Sequence, residues 1–514
     1  MKKSKNIFEL VFMLIFIAQI VIILINNLTM MEKNLDSDAA RLLNHIILMA
    51  KEKTLLIPDW SYPTTLELDC TSLFALPIYM VSGNIYLSAS VSNILLLLLF
   101  ASVIIYLFDK QSLIYPLFSL DLILIPYTSG TLDYYNMMFY AGSQYIIKIM
   151  LPILFVSLIL HIREKSGIIT YVFHIIFFSL LFLTSLSSGW YVMACGLFPI
   201  MAVYFLYKFF RKEKTTRCEI LLFSLTVILG FAGAKLNIRL CNALGNDMLL
   251  RTSYGLWDYW GRCFVGIFEL FGGVTSEWTI RALSAEGIRI LSKLGLTILY
   301  LISIPISIQK FRKENHNLFF LLFVSIPIWN FFVLCTINAH YGSATFEYRY
   351  HLLGMIPVIC IFSTLFVDFS SKTDHWQQNI LYTSAALGVL YLTISCFRPL
   401  FVRSDYVSDL KPVISYCQEM NPEMIYFLND NPAAEICRLL DGSEKRRYLG
   451  INEDGITISR DYYACYESSQ MQTEHFLLVV DYDSYPWNEI NDFNGMTLER
   501  IMLIGNRGIY AITD

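Results

Sequence analysis

Charged residues are scarce in this chain: Asp, Glu, Lys and Arg make up 16% of its 514 residues, whereas hydrophobic residues make up 56%. Soluble globular proteins carry about 25% charged residues. The scarcity therefore argues against an ordinary soluble enzyme, and no nucleic-acid partner is predicted. Apolar runs of about 20 residues, long enough to cross a bilayer, recur along the chain and indicate a polytopic membrane protein.

Two further features are missing. The eleven cysteines are scattered, without a C-x-x-C pair or zinc-like spacing, so they indicate neither a metal site nor a disulfide framework. No small-x-small cleavage site follows the first apolar run, residues 7–25. Because this run is also longer than the core of a signal peptide, we predict that it is retained as a membrane span.

The apolar runs predict about eleven membrane-spanning helices. The predicted spans lie at residues 7–27, 86–108, 111–127, 136–160, 168–186, 190–210, 218–235, 288–308, 317–337, 348–367 and 379–397. The span 111–127 has the weakest signal because it contains Pro116 and Asp121. Residues 263–273 are too few to span, and we expect this piece to be re-entrant or interfacial.

Lys and Arg in short loops predict the orientation. They concentrate in segments that all fall on one side of the membrane if the spans alternate, at residues 2–5, 163–165, 207–217 and 309–316. By the positive-inside rule this side is cytoplasmic. We therefore predict a multi-pass plasma-membrane protein with a cytoplasmic N-terminus and an extracytoplasmic C-terminus. The loops 28–85, 236–287 and 338–347 are then also extracytoplasmic.

The chain changes character after residue 397. Residues 398–514 contain 10 Lys and Arg against 19 Asp and Glu, a balance of −9. Helix-like stretches alternate there with short apolar strands, as in a small α/β layer structure. We predict two domains: a transmembrane domain of residues 1–397, including the loop 28–85, and a soluble extracytoplasmic α/β domain of residues 398–514. The second has no Gly-rich phosphate loop, which favours an accessory role over a catalytic one.

The first external loop opens with two carboxylates, Asp36 and Asp38, in the stretch LDSDAARL. The residues that follow place apolar side chains on one helical face, a pattern typical of a short amphipathic helix along the membrane surface. A segment with prolines and aromatics, including Trp60, comes next. Either acid can cap the helix by accepting hydrogen bonds from its first free amides. One cap is enough, so a catalytic or ligand-binding role for the other stays open.

This arrangement resembles the GT-C superfamily of integral membrane glycosyltransferases, which includes protein O-mannosyltransferases and lipid A aminoarabinose transferases. The resemblance rests on LDSDAARLLNHIILMA, on the following PDWSYP and on the many further spans. It implies a GT-C-like polytopic α-helical fold. It also implies a polyprenyl-phosphate-linked sugar donor, an extracytoplasmic glycan, protein or lipid acceptor, and inversion at the anomeric carbon.

In such an enzyme an Asp of this loop takes the proton of the acceptor hydroxyl as general base. Many members of the superfamily have adjacent Asp and Glu, whereas here Ser37 separates Asp36 from Asp38. Both acids therefore remain candidates. No cofactor is required by the sequence, and the superfamily varies in its use of a divalent metal. His45, on the helix after the acids, is a candidate metal ligand or an ordinary surface or core histidine.

A lipid-phosphate leaving group needs a fixed cation at the outer membrane surface. The predicted donor-phosphate residues are Arg349 with its neighbours Tyr348 and His351, at the external start of a span. A guanidinium matches phosphate oxygens in its planar geometry. The alternative role for Arg349 is an interfacial anchor that extends toward the headgroups.

Other residues are candidates for the acceptor cleft or for buried charge pairing. Asp133, Tyr134 and Trp60 are predicted to line a cavity for the acceptor, with ordinary loop positions as the alternative. Lys148 lies within an apolar run, and such residues usually face a cavity or a partner. We predict Asp121 as the partner of Lys148.

Two other functions fit the composition. A transporter or flippase of a lipid-linked glycan would place its binding site at broken helices in the middle of the membrane, commonly with internal repeats. No convincing repeat relates the two halves of this chain. A non-catalytic subunit of an envelope assembly complex, with membrane lipids and the acidic domain as its contacts, is the third alternative.

Overall fold

The computed structural model describes most of the chain and forms two compact units. The helical unit comprises residues 1–27, 64–73 and 91–401, and the mixed unit comprises residues 28–63, 74–90 and 402–514. The described residues are 2–58, 60, 62, 65–130, 133–140, 142–162, 167–243, 253–254, 260–275, 279–313, 317–338, 348–402, 404–443, 445–452, 458, 475–482, 492–493 and 496–512.

Helices dominate the first four hundred residues, and strands are concentrated after residue 420. The helices are α1 Lys2–Met30, α2 Ser37–Glu52, α3 Ser72–Ser82, α4 Ile85–Leu107, α5 Ile114–Ile123, α6 Tyr134–Phe139, α7 Ile146–His161, α8 Ile168–Ser188, α9 Phe198–Arg211, α10 Arg217–Ala243, α11 Trp260–Leu270, α12 Ala285–Lys313, α13 Leu318–Thr336, α14 Leu352–Ser371, α15 His375–Phe397, α16 Asp405–Met420 and α17 Asn431–Asp441. The strands are β1 Ser253–Tyr254, β2 Ile337–Asn338, β3 Met424–Leu428, β4 Arg447–Ile451, β5 Phe476–Asp481, β6 Asp492–Phe493, β7 Met496–Ile504 and β8 Arg507–Ile512.

The structure confirms a polytopic helical fold with a C-terminal α/β portion. Within the described residues, nine helices are long and apolar enough to cross a membrane: α1, α4, α8, α9, α10, α12, α13, α14 and α15. The predicted count of eleven is not confirmed. The predicted spans 111–127 and 136–160 are occupied by shorter helices, α5 with 10 residues in the first and α6 with α7 in the second.

Close helix packing builds the core of the helical unit. Helix α8 packs against α10, α13 against α14, and α14 against α5 and α12. The contact between α8 and α10 depends on Gly233, where an added Cβ would lie 2.8 Å from both the carbonyl oxygen of Phe182 and the Cβ of Ser185. Small residues let membrane helices approach in this way.

A six-stranded sheet forms the centre of the C-terminal part of the mixed unit, in the order β4-β3-β5-β8-β7-β6. Strand β3 pairs in parallel with β4 and β5, and the remaining pairs are antiparallel. Alternate residues of the central strands, among them Tyr426, Leu478 and Tyr510, pack into one buried cluster. The period of two matches one face of a pleated sheet, as the short apolar strands predict.

Helix α2, predicted from the first loop, is present and belongs to the mixed unit, where it packs against α17. The Asn44 amide donates to the backbone carbonyl of Glu435 at 3.3 Å. Nearby, Lys411 contacts Glu32 at 2.7 Å. The sequence predicts an amphipathic helix along the membrane surface, but its polar residues Arg41 and Asn44 are buried, and α17 packs against the helix. The domain boundary at residue 397 stays a prediction.

A buried carboxylate joins the ends of α9 and α10. Glu219, fully buried, accepts two hydrogen bonds from the Lys208 ammonium at 2.8 and 3.0 Å and one from the Tyr204 hydroxyl at 2.7 Å. It also accepts from the backbone N–H of Thr216, whose hydroxyl in turn accepts from the N–H of Glu219. This reciprocal pattern is a capping box, so one side chain both starts α10 and neutralises a buried lysine.

Replacing Glu219 by Ala should lower the free energy of unfolding by about 3–5 kcal/mol, because the Lys208 ammonium would stay buried without its counter-charge. The matched control is Glu213→Ala, which removes a partly exposed carboxylate 3.8 Å from Arg211 and should cost about 0–1 kcal/mol. Thermal or denaturant unfolding of the purified protein in detergent measures both. Equal losses in the two variants would contradict this account of the junction.

Candidate active site

Asp36 is the N-cap of α2. Its backbone is extended, with φ −110° and ψ 174°, and its Oδ1 accepts a hydrogen bond from the backbone N–H of Ala39 at 2.7 Å. A side-chain oxygen in this position satisfies an amide that the helix itself leaves without a partner. The capping role that the sequence allowed for either acid is therefore filled by Asp36.

Asp38 lies in the first turn of α2, and its side chain is 29% exposed. Its Oδ1 is 3.9 Å from Nε of Arg41, a side chain that is only 4% exposed. Negative charge is favoured at a helix N-terminus, and the cation one turn later supports it further. Asp38 is thus an accessible carboxylate held at a defined position in the first turn of α2.

Trp60 and His45 pack against each other in the interior of the mixed unit. Their rings stack at 4.8 Å with an interplanar angle of 10°, and Nε2 of His45 lies 3.3 Å from the Tyr62 hydroxyl. All three side chains are nearly or fully buried. These contacts hold Trp60 and Tyr62 of the first loop against α2. The acceptor-cavity role of Trp60 stays a prediction.

The described residues do not offer a metal centre. Across the described ranges, no group of three His, Cys, Asp or Glu side chains lies close enough together to hold a metal ion. His45 is directed toward Tyr62 and Trp60. The donor set therefore does not fit a divalent metal, and the chemistry below uses none.

The predicted donor-phosphate residues form one short turn before α14. Residues Tyr348–His351 adopt a 3-10 helix, and the Arg349 guanidinium lies 5.5 Å from the ring centre of Tyr350. Nε2 of His351 is 2.7 Å from the backbone carbonyl of Cys263 on α11. Because His351 is buried and held by this contact, it anchors the turn, and Arg349 supplies the positive charge.

The structure brings Asp133 and Tyr348 together. The Tyr348 hydroxyl donates to Oδ1 of Asp133, and the backbone N–H of Gly130 donates to Oδ2 at 2.6 Å. Burial raises the pKa of Asp133, while the Gly130 amide and nearby Lys293 oppose that rise. Tyr134 is fully buried and donates to the carbonyl of Ile123 at 2.7 Å. Asp133 thus contacts Tyr348, one of the predicted donor-phosphate residues, whereas Tyr134 lies in the core of the helical unit.

A buried ion pair that the sequence reading missed joins Lys148 to Asp69. Nζ of Lys148 is 3.8 Å from Oδ2 of Asp69, with side chains 8% and 1% exposed. Oδ2 also accepts a hydrogen bond from the Ser188 hydroxyl at 3.0 Å. The predicted pairing of Lys148 with Asp121 is wrong. Both carboxylate oxygens of Asp121 are buried and have no hydrogen-bond partner among the described residues.

Backbone and side-chain hydrogen bonds fix the segment that carries Asp69. The N–H groups of Leu66 and Leu68 donate to the carbonyl and hydroxyl of Ser187 at the end of α8, at 2.9 and 3.1 Å. The Thr71 hydroxyl donates to Oδ1 of Asn93 on α4 at 2.5 Å. A polar segment buried among helices needs such partners for its backbone, and they leave the Asp69 carboxylate in a defined position.

Two cations of the helical unit adjoin one pair of aromatic rings. Nζ of Lys148 is 5.4 Å from the ring centre of Tyr145, and the rings of Tyr145 and Tyr191 meet edge to face at 6.3 Å. Arg349 lies within electrostatic range of Tyr191. Fixed cations in a partly dehydrated setting stabilise an anion strongly.

An apolar groove of about 250 Å³ starts from the same turn. Its lining combines His351 and Gly354 with hydrocarbon side chains, namely Phe264, Ile267, Leu301, Ile304, Pro327, Ile328, Phe331 and Met355, and with Asn330. Its surface suits a hydrocarbon chain. The helical unit therefore has a basic region and an apolar groove that adjoin one short turn.

Comparison with known proteins identifies solved structures with a similar fold. No protein-family model matches the chain, and no curated protein matches its sequence. Among solved structures, ArnT from Cupriavidus metallidurans in the apo state is similar at a TM-score of 0.60 and 10% identity, over 97% of each chain. The same protein bound to undecaprenyl phosphate matches at a TM-score of 0.58 and 10% identity, again over 97% of each chain. The polytopic helical fold predicted from the sequence is confirmed, and it is similar to the fold of ArnT.

Replacing Asp36 by Ala should destabilise the start of α2 by about 1 kcal/mol, whereas Asn, also a good N-cap residue, should leave it nearly unchanged. Amide hydrogen exchange of residues 37–40 measures this directly in the purified protein. Faster exchange in the Ala variant alone is the expected result. Equal exchange in the wild type and both variants would contradict the cap.

Proposed function

We propose that this protein is a membrane glycosyltransferase that transfers a sugar from a polyprenyl phosphate to an extracytoplasmic acceptor. The observation that carries the proposal is the fold match to ArnT over 97% of both chains, with undecaprenyl phosphate bound in one of the two structures. The cations Lys148 and Arg349 and the apolar groove of the helical unit support it, since a polyprenyl phosphate combines an anionic head with a long hydrocarbon tail.

Lys148 and Arg349 are proposed to bind the donor phosphate. Lys148 is held by its ion pair with Asp69 at 3.8 Å, and Arg349 provides a planar set of donors for phosphate oxygens. The groove beside His351 is proposed to take the first part of the lipid chain. Positive charge matters most when the sugar leaves, because the phosphate then gains negative charge in a site of low dielectric.

Asp38 is proposed as the general base. The acceptor oxygen attacks the anomeric carbon from the face opposite the phosphate, and the bond from this carbon to the phosphate oxygen breaks. The acceptor proton passes to Asp38, while polyprenyl phosphate leaves with the electron pair of the broken bond. Asp36 is less suited because its Oδ1 is held by the Ala39 amide at 2.7 Å.

We also propose the orientation given by the positive-inside rule, with a cytoplasmic N-terminus and the reaction on the extracytoplasmic side of the plasma membrane. The basic segments at residues 207–217 and 309–316 support it. The loop that carries Asp38 then meets acceptors outside the cytoplasm.

Replacing Asp38 by Asn should lower the rate of sugar transfer by about 100- to 10,000-fold, because the neutral amide cannot take the hydroxyl proton. Asp36→Asn is the matched control, since Asn preserves the cap and lies two residues away; it should retain most of the activity. Transfer from a supplied polyprenyl-phosphate sugar is measured with purified protein in detergent. Full activity in Asp38→Asn, or loss in Asp36→Asn alone, would contradict the assignment.

Removing the proposed phosphate contacts should weaken donor binding. Arg349→Ala and the charge-balanced double variant Lys148→Met with Asp69→Asn should each raise the Kd for polyprenyl phosphate about 10- to 100-fold, the loss expected for a hydrogen bond to a charged group. The double variant avoids leaving a buried carboxylate alone. Lys235→Met, which removes an exposed lysine, is the control. Unchanged affinity in both test variants would reduce these residues to structural roles.

A further inference from the structure

The mixed unit contains a cavity lined by basic residues. It has a volume of about 340 Å³ and lies where α2 meets the end of α17 and the start of β4. Its described lining comprises four cations, Lys51, Arg438, Arg446 and Arg447, with Asn44, Ile47, Leu48, Leu439, Gly442 and Ser443. No Asp or Glu is among these lining residues. The concentration of positive charge contrasts with the −9 balance of residues 398–514.

Two of the arginines, Arg446 and Arg438, are held in place by hydrogen bonds and ion pairs within the mixed unit. Arg446 forms a bidentate contact with Asp441 at 2.8 and 3.0 Å and donates to Oδ1 of Asn421 at 3.0 Å. Arg438 donates to the carbonyl of Tyr448 at 2.9 Å and lies 3.5 Å from Glu435. Their side chains are only 15% and 12% exposed. A cavity lined by fixed guanidinium groups loses little entropy when it binds an anion.

Helix-end stabilisation accounts for only part of this cluster. Lys51 and Arg438 lie in the last turns of α2 and α17, where cations offset the partial negative charge of helix carbonyls. Arg446 and Arg447 have a different origin, because both follow the helix: Arg446 directly precedes β4, and Arg447 is its first residue. Offsetting the partial charge of the helix carbonyls therefore does not account for these two cations.

We infer that this cavity binds a phosphate-bearing ligand. Guanidinium groups match phosphate oxygens in geometry, and the combination of Asn44 and Ser443 with Ile47, Leu48 and Leu439 fits the mixed polar and apolar surface of a sugar ring. The volume admits a ligand of about the size of one sugar phosphate. The shared chemistry is the phosphate group, carried by a sugar or present as the free ion.

The cavity shares α2 with the proposed general base. Asp38 and Lys51 are thirteen residues apart on one helix, which corresponds to about 20 Å at about 1.5 Å per residue. If the proposed function holds, the ligand at this cavity is a phosphate group of the acceptor, bound well away from the hydroxyl that reacts. This last step rests on the proposed function, whereas anion binding by the cavity does not.

Isothermal titration calorimetry of the full-length protein in detergent at low salt tests the site, without any polyprenyl donor. Inorganic phosphate and glucose 1-phosphate should bind, and glucose should not. The double variant Lys51→Ala with Arg447→Ala should weaken binding about tenfold or more, the loss expected for one charge-assisted hydrogen bond. It leaves the contacts of Arg438 and Arg446 in place. Tighter binding of glucose 1-phosphate than of phosphate identifies a sugar phosphate, and equal binding identifies the phosphate group alone.

Lys445→Ala is the matched control, because Lys445 is exposed and adjacent in sequence but is not among the lining residues. It should bind the probes as the wild type does. Asp38→Asn should also bind normally, which separates failure of this site from failure of the proposed transfer reaction. The inference is overturned if the wild type binds neither phosphate probe, if glucose binds equally well, or if the folded double variant binds unchanged.

Discussion

A lysine in an apolar helix needs a carboxylate, and the helical unit is organised around that requirement. Lys148 on α7 is charged and nearly buried, and Asp69 is the acid that meets it at 3.8 Å. Breaking a buried pair of this kind leaves one charge without compensation, which costs more than the pair itself contributes. The segment that carries Asp69 must therefore return between helices, and its hydrogen bonds to Ser187 and Asn93 hold it there.

The first loop serves both units of the protein. Residues 64–73 belong to the helical unit, whereas residues 28–63 belong to the mixed unit, together with the C-terminal sheet. Within the mixed unit, Asn44 of α2 contacts Glu435 of α17 across 391 positions of sequence. A contact of such long range is made only when the C-terminal portion has folded. The C-terminal α/β portion thus packs against the helix that carries the proposed base.

The sequence predictions that succeeded rest on local patterns in the sequence. Apolar runs predicted the nine helices of the described residues that are long and apolar enough to cross a membrane, and the spacing around Asp36 predicted a helix start, because both features depend on neighbours along the chain. The partner of Lys148 was wrong for the opposite reason. Asp69 and Asp121 are both buried acids, and only the tertiary path of the chain shows which of them lies next to Lys148. The contact of Asn44 with Glu435 of α17 depends likewise on the tertiary structure, which no local periodicity reveals.

Capping and catalysis need not compete for the same carboxylate. Asp36 fixes the first turn of α2 through the Ala39 amide, and Asp38 is then presented from a backbone whose geometry is already set. A proton acceptor is effective only when it is held within hydrogen-bond distance of the acceptor hydroxyl. Ser37 separates the two acids. Asp36 therefore lies before the helix as its N-cap, and Asp38, the proposed base, lies within the first turn.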